Sequence, residues 1–391
     1  MQVLADLQDP SRRELDRQAA AQGRPRGSSP LSRDPPRGGE AVPSIEYGEL
    51  AVQDAAMGVG SFKSVYRARW AKKNRDVAVL VLRNSDNASL SDFKNEIRTF
   101  STVGKHRYLA ELLATSTQAG TGNKCMVMEF APQGSLDHVL NKAADDDTDV
   151  SKLVLMQVCM QVAEGMEHLH LYNIIHRDLA LRNILVFLFD PHNWKRTLVK
   201  VTDYGLSLLI QKGYTRGSSG ASVVEVATNA ANAANPVRWM ALESLERRQY
   251  SRMSDVWSFA VLMYEIWSLG KFPYHDIHDD REVSRAVIAG ERLPRPDKCP
   301  MQMYAIMKSC WSSAPRERPS MSEVHTRLQE SFAEAMLEAS KTECVICLDA
   351  GNACVCVLIS LSRISLSLPI TFHTNNHHHH CTPRVCVCVC S

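Results

Sequence analysis

The 391-residue chain carries 45 basic and 43 acidic side chains and 14 histidines, a balance that argues against a nucleic-acid or other polyanion partner. Its 45% apolar fraction is ordinary for a globular protein, and the length suffices for a substantial core. Of twelve cysteines, Cys125, Cys159, Cys299 and Cys310 are scattered through globular sequence and the other eight follow Lys341; this excludes a disulfide framework and fits a reduced, cytoplasmic setting.

Residues 1–43 are rich in Arg, Pro, Gly and Ser, as in GRPRGSSPLSRDPPRGG, and lack the apolar periodicity of a core, so a disordered tail is expected. No continuous apolar stretch marks a secretory leader. Residues 44–130 then read as short β-branched or aromatic strands, IEYGELAV, SVYRARW, DVAVLVL and KCMVMEF. One helix interrupts them, LSDFKNEIRTFSTVG, with Phe93, Ile97 and Phe100 at helical spacing and Ser91 or Asp92 as its expected cap. Residues 134–335 are mostly helical, with the long apolar segments SKLVLMQVCMQVAEGMEHLHLY and SDVWSFAVLMYEIWSLG. The expected architecture is α+β and bilobal, a small β-rich lobe followed by a larger helical one. No membrane span is expected, because the best stretch, Val355 to Phe372, is interrupted by Arg363 and several serines.

The chemistry concentrates in IIHRDLALRNILV, residues 174–186, where a His-Arg-Asp triplet and an Arg-Asn pair stand between two apolar runs. A second acid, Asp203 in VTDYGLS, follows another β-branched run. Upstream, Gly58-Val59-Gly60-Ser61-Phe62-Lys63 forms a glycine-rich turn between strands, a place where backbone amides can approach phosphates closely. In these segments the chain resembles the eukaryotic protein kinase family, over residues 44–335.

The resemblance implies transfer of the ATP γ-phosphate to a hydroxyl of a protein substrate, with Mg²⁺. Asp178 is then the catalytic base, and Asn183 and Asp203 the metal ligands. Gly58, Val59, Gly60, Val65 and Ala78 would line the nucleotide site, Met128 would be its gatekeeper, and backbone groups of Glu129 and Ala131 would meet the adenine edge. His176 reads as a packed structural residue and Arg177 as the pocket for a phosphorylated activation loop, with Tyr214 the candidate phosphosite, modified in trans by a second copy of the chain. Glu243 in ALES would pair with Arg318 in PRERPS, and Asp255 would brace the catalytic loop.

The chain departs from the family at the third strand, where the ATP-binding lysine is replaced by Leu80, and at Lys63, where a third glycine is usual. Strand parity puts Ala78, Leu80 and Leu82 on the cleft face and turns Arg83 away. Lys63, two residues before Val65, shares the cleft face. This resembles the "with no lysine" kinases, in which the second strand supplies the cation. Two readings stand: Lys63 replaces the missing lysine and pairs with Glu96, or the chain is a pseudokinase scaffold with impaired ATP use. Ala180 stands where serine/threonine kinases carry a lysine, while Arg182 and PVRWMALES, with Pro236, resemble tyrosine kinases. Tyrosine is therefore the favoured acceptor, with the tyrosine-kinase-like serine/threonine group as the alternative.

The tail, residues 336–391, opens with ECVICLDA, which resembles the start of a RING finger through Cys344-x-x-Cys347. The later Cys354, Cys356, His373 and Cys381 lack RING spacing, so no zinc site is expected there. Alternating Val-Cys is what a repeated GT dinucleotide encodes, and the tail reads as a truncated RING.

Overall fold

A computed structural model describes residues 42–59, 63–83, 86–203, 207–209, 224–225 and 236–346. Pro35–Ala335 form one compact unit; Met1–Asp34 and Met336–Ser391 form a second, of which the described part is the end of a helix. Gly60, Tyr214 and Cys347 lie outside the described residues, as do the stretches before residue 42 and after residue 346.

The N-terminal lobe is a five-stranded antiparallel sheet built from β1 (Leu50–Val59), β2 (Lys63–Trp70), β3 (Arg75–Leu82), β4 (Leu112–Thr117) and β5 (Lys124–Glu129), in the order β1-β2-β3-β5-β4. The alternating valines of β3 suit a pleated strand with one face in the core. Val77, Val79 and Val81 enter a core with Leu50, Ala68, Trp70, Ala114, Cys125 and Val127, and the alternate residues Ala78 and Leu80 lie half-buried on the other face. Register sets Lys63 opposite Leu82, Val65 opposite Leu80, and Leu80 opposite Met126.

Helix α1 (Asn87–Val103) starts earlier than its sequence pattern predicts. The Asp86 side chain accepts the Ser89 N–H at 2.8 Å and caps it, which leaves Ser91 and Asp92 inside the helix. Its inward stripe includes Phe93 and Phe100, and with them Glu96, only 3% exposed. An acid on that stripe requires a partner.

The C-terminal lobe contains α2 (Leu136–Asp145), α3 (Lys152–Leu171), α4 (Leu242–Arg247), α5 (Arg252–Trp267), α6 (Asp280–Ile288), α7 (Met301–Cys310) and α8 (Met321–Ile346). Helix α5 begins with a reciprocal Ser251/Ser254 capping box, and every residue from Ser254 to Trp267 is buried. Short antiparallel ladders join β6 (Ile174–Ile175) to β9 (Leu208–Leu209), β7 (Ile184–Leu188) to β8 (Leu198–Val201), and β10 (Val224–Glu225) to β11 (Gln249–Tyr250). The extended loop between β7 and β8, unexplained by its sequence, is anchored at two points. The Pro191 carbonyl accepts the Ser151 N–H at 2.8 Å at the start of α3, and the Trp194 ring packs edge-on to Phe332 of α8 at 5.1 Å.

Arg318 and Glu243 form a bidentate pair, with both N–O distances 2.8 Å and the arginine side chain fully buried. Arg318→Ala leaves Glu243 without its cation and is expected to cost about 3–5 kcal/mol. Denaturant unfolding measures this, and an unchanged midpoint would contradict the pairing.

Cys344 falls within α8, so the first half of the RING-like pair is helical. Among the described residues there is no group of three or more potential metal ligands, and no helix long and apolar enough to cross a membrane.

Candidate active site

The loop from His176 to Asn183 is held in an unusual backbone conformation. Arg177 has φ 72°, in the left-handed region that costs a non-glycine residue energy unless its surroundings impose it. Asp255, 1% exposed in the first part of α5, imposes it by accepting the N–H of His176 at 2.9 Å and of Arg177 at 3.0 Å. The same carboxylate lies 3.0 Å from His170 Nε2.

His176 is fully buried. Its Nδ1 accepts the Asp178 N–H at 3.3 Å and its Nε2 lies 3.1 Å from the Thr202 carbonyl. With the Nε2–H as donor and Nδ1 as acceptor, the ring satisfies both contacts. The histidine thus ties the loop to the residue before Asp203. Thr202 N–H donates to the Asn183 carbonyl at 3.0 Å, a second tie that keeps Asp203 beside Asn183.

Around Asp178 two side chains converge. Asn183 Nδ2 donates to the Asp178 carbonyl at 2.7 Å and to its Oδ2 at 2.9 Å. The Arg182 guanidinium, four residues on, hydrogen-bonds Oδ1 and lies over the Trp239 ring, 4.7 Å from its centroid. Each carboxylate oxygen keeps lone-pair capacity for one further donor.

Across the cleft, Lys63 at the start of β2 makes an ion pair and hydrogen bond with Glu96 Oε2. Burial raises the Glu96 carboxyl above its ordinary range; Lys63 opposes the rise and the charge of Asp203 adds to it. Lys63, Glu96 and Asp203 therefore share one electrostatic neighbourhood. At Gly58, in β1, an added Cβ would meet nothing within 4 Å, so this position borders open space. Val59 beside it is 65% exposed.

At the end of β5, Met128 is buried and Glu129 turns its carboxylate inward to Lys200 of β8, at 2.6 and 2.8 Å, and to the Glu111 N–H at 2.8 Å. Glu129 N–H donates to the Glu111 carbonyl at 3.1 Å, and the Ala131 carbonyl accepts from Gly134 N–H at 3.2 Å. Arg177 lays its guanidinium 4.2 Å from the centroid of the Tyr250 ring, on β11, whose partner strand β10 lies within the 203–243 segment.

These contacts link Lys63, Glu96 and Asp203 on one side and Asp178, Arg182 and Asn183 on the other, with the Thr202–Asn183 hydrogen bond between the two groups. A family profile described as "Protein tyrosine and serine/threonine kinase" matches residues 52–328. The chain belongs to the protein kinase family. Relatives include the "Tyrosine-protein kinase transforming protein Abl" of Abelson murine leukemia virus, 33% identical over 299 residues, covering 75% of this chain and 37% of that protein. The "Angiopoietin-1 receptor" of Danio rerio is 32% identical over 331 residues (77% of this chain, 27% of that protein) and human "Tyrosine-protein kinase ABL2" 32% over 287 (73% and 22%). This kinase chain thus spans between about a fifth and two fifths of the length of these relatives.

Three residues beside this site receive no role from a reading of motifs, although Trp239 lies within PVRWMALES. Lys200, Trp239 and Glu265 act through partners 71, 26 and 84 positions away. The available signal was an isolated charge in an apolar run, VKV for Lys200 and FAVLMYEIW for Glu265, because a lone buried charge is rare unless paired.

Proposed function

We propose that this chain is a protein tyrosine kinase that transfers the γ-phosphate of ATP to a tyrosine hydroxyl, with Lys63 supplying the phosphate-binding cation that Leu80 cannot. The observation that carries the reading is Asp178 held by both Arg182 and Asn183, with Arg182 rather than residue 180 bringing the cation. The tyrosine-kinase names of the relatives agree with it.

In this reading Asp178 orients the phenolic hydroxyl and accepts its proton as the oxygen attacks phosphorus. Arg182 faces the γ-phosphate from the loop side while Lys63, fixed by Glu96, meets the phosphates from the sheet side. Asn183 and Asp203 are the residues that would hold Mg²⁺, and the open space at Gly58 fits the close approach of phosphates. Held there, Mg²⁺ would supply positive charge to offset the charge developing on the phosphates. Backbone groups of Glu129 and Ala131, at and just past the end of β5, would meet the adenine edge; the Glu129 N–H and the Ala131 carbonyl bond within the chain. Tyr214 is the proposed site of autophosphorylation in trans, with Arg177 as its phosphate partner. The four described cysteines, all buried thiols, agree with a cytoplasmic setting.

The test is transfer of labelled γ-phosphate followed by phosphoamino-acid analysis of the modified chain and of a tyrosine peptide. Phosphotyrosine is expected. Label confined to serine and threonine would replace the tyrosine reading with the tyrosine-kinase-like alternative.

A further inference from the structure

Phosphate transfer to tyrosine needs Arg182 in one place, yet Asp255 grips the loop at its other end, at His176 and Arg177. Near Arg182 a different carboxyl does the holding. Glu265 sits in α5 among the buried Tyr264 and Ile266 and is itself 5% exposed. Burying a carboxyl is costly unless hydrogen bonds offset the lost water. Its Oε2 accepts two of them, from the Leu181 backbone N–H at 3.3 Å and from the Trp239 indole N–H at 2.8 Å.

One oxygen thereby joins the catalytic loop to the segment 236–239. The Trp239 ring is the surface on which the Arg182 guanidinium lies, and its carbonyl accepts the Ser258 hydroxyl of the same helix at 2.7 Å. The neighbouring Arg238 is fully engaged elsewhere, by Asp280 and by the carbonyls of Pro273, Tyr274, Ile277 and His278. Of the two arginines in this corner, Arg182 is the one turned to Asp178.

We infer that Glu265 and Trp239 are positioning residues for phosphate transfer: the shared oxygen locks the catalytic loop to the 236–239 segment, and the indole fixes Arg182 against Asp178. The inference rests on the tyrosine-kinase reading above and extends it to two residues that touch no reacting atom. Both donors converge on one oxygen, a demand that the carbonyl oxygen of a protonated acid meets as well as a carboxylate does. Burial pushes the Glu265 carboxyl up to about 8, so at neutral pH it is largely protonated. Glutamine therefore reproduces the acceptor and leucine removes it.

Steady-state kinetics with ATP and a tyrosine peptide, beside thermal unfolding, test this on Trp239→Phe, Glu265→Leu and Glu265→Gln. Trp239→Phe keeps an aromatic ring under Arg182, though a smaller one, and deletes the indole N–H. We expect kcat to fall about 10-fold in Trp239→Phe and about 100-fold in Glu265→Leu with KM for ATP unchanged, the pattern of misplaced reacting groups. Glu265→Gln is expected to recover kcat to within about threefold of wild type. Wild-type kcat in Trp239→Phe and Glu265→Leu overturns the inference, as does a KM for ATP that rises in step with the loss, or a glutamine variant as damaged as leucine. Should Glu265→Leu fail to fold, Trp239→Phe against Glu265→Gln decides alone. A wild-type protein that puts no phosphate on tyrosine overturns the proposed function and this inference with it; an active one with indifferent variants overturns the inference only.

Discussion

Lys63→Met is expected to lower phosphate transfer by at least about 100-fold, the scale of removing one preorganised charge from a transition state. The substitution also strips Glu96, 3% exposed, of its ammonium partner. Burial already holds that carboxyl above its ordinary range against the pull of Lys63, so without Lys63 it rises further and binds a proton in the folded state. A carboxyl raised on folding favours the folded state at acid pH, and that contribution is lost as pH climbs from the unfolded value through the folded one. The melting temperature of Lys63→Met should therefore fall more steeply with rising pH than that of wild type. A transfer assay and a pH series of melting curves make the two checks. Retained activity, or parallel melting profiles, would return Lys63 to the status of a solvated strand residue and reopen the scaffold reading.

Asp178→Asn is expected to reduce kcat about 1,000-fold, within the range of a lost general base, with KM for ATP little changed. The amide cannot accept a proton from the tyrosine hydroxyl, and it offers one acceptor oxygen where the carboxylate offers two. Arg182 and Asn183 each bind a different oxygen of Asp178, so the variant also breaks one of those contacts. Rapid-quench measurement of the chemical step separates this loss from product release. A variant retaining more than about a tenth of wild-type transfer would exclude Asp178 as the base.

How much of this was legible in the sequence depended on whether a residue works through its neighbours in the chain or through distant ones. Asp178, Arg182 and Asn183 sit within six positions, and their spacing alone brings them together. Strand parity was enough to put Leu80 and Lys63 on the face away from the Val77–Val79–Val81 core. The α1 cap was misplaced because Ser91 and Asp92 look as suitable as Asp86, and only the backbone path decides which carboxylate meets an orphan N–H. Glu265 and Lys200 stood out only as lone charges in apolar runs. Their partners are decided when α5 and β8 pack against the catalytic loop and the end of β5.

The ion pair between β2 and α1 has a mechanical consequence. In the usual kinase arrangement the cation that holds Glu96 stands on the third strand, apart from the glycine turn. Here it stands on the strand that leads directly out of that turn, at Lys63. The strand leading out of the turn and the helix carrying Glu96 are therefore tied by one ion pair. Under the proposed role of Lys63, the side chain that meets the phosphates is the same one that holds the helix, so a displacement of β2 or of α1 disturbs both contacts at once.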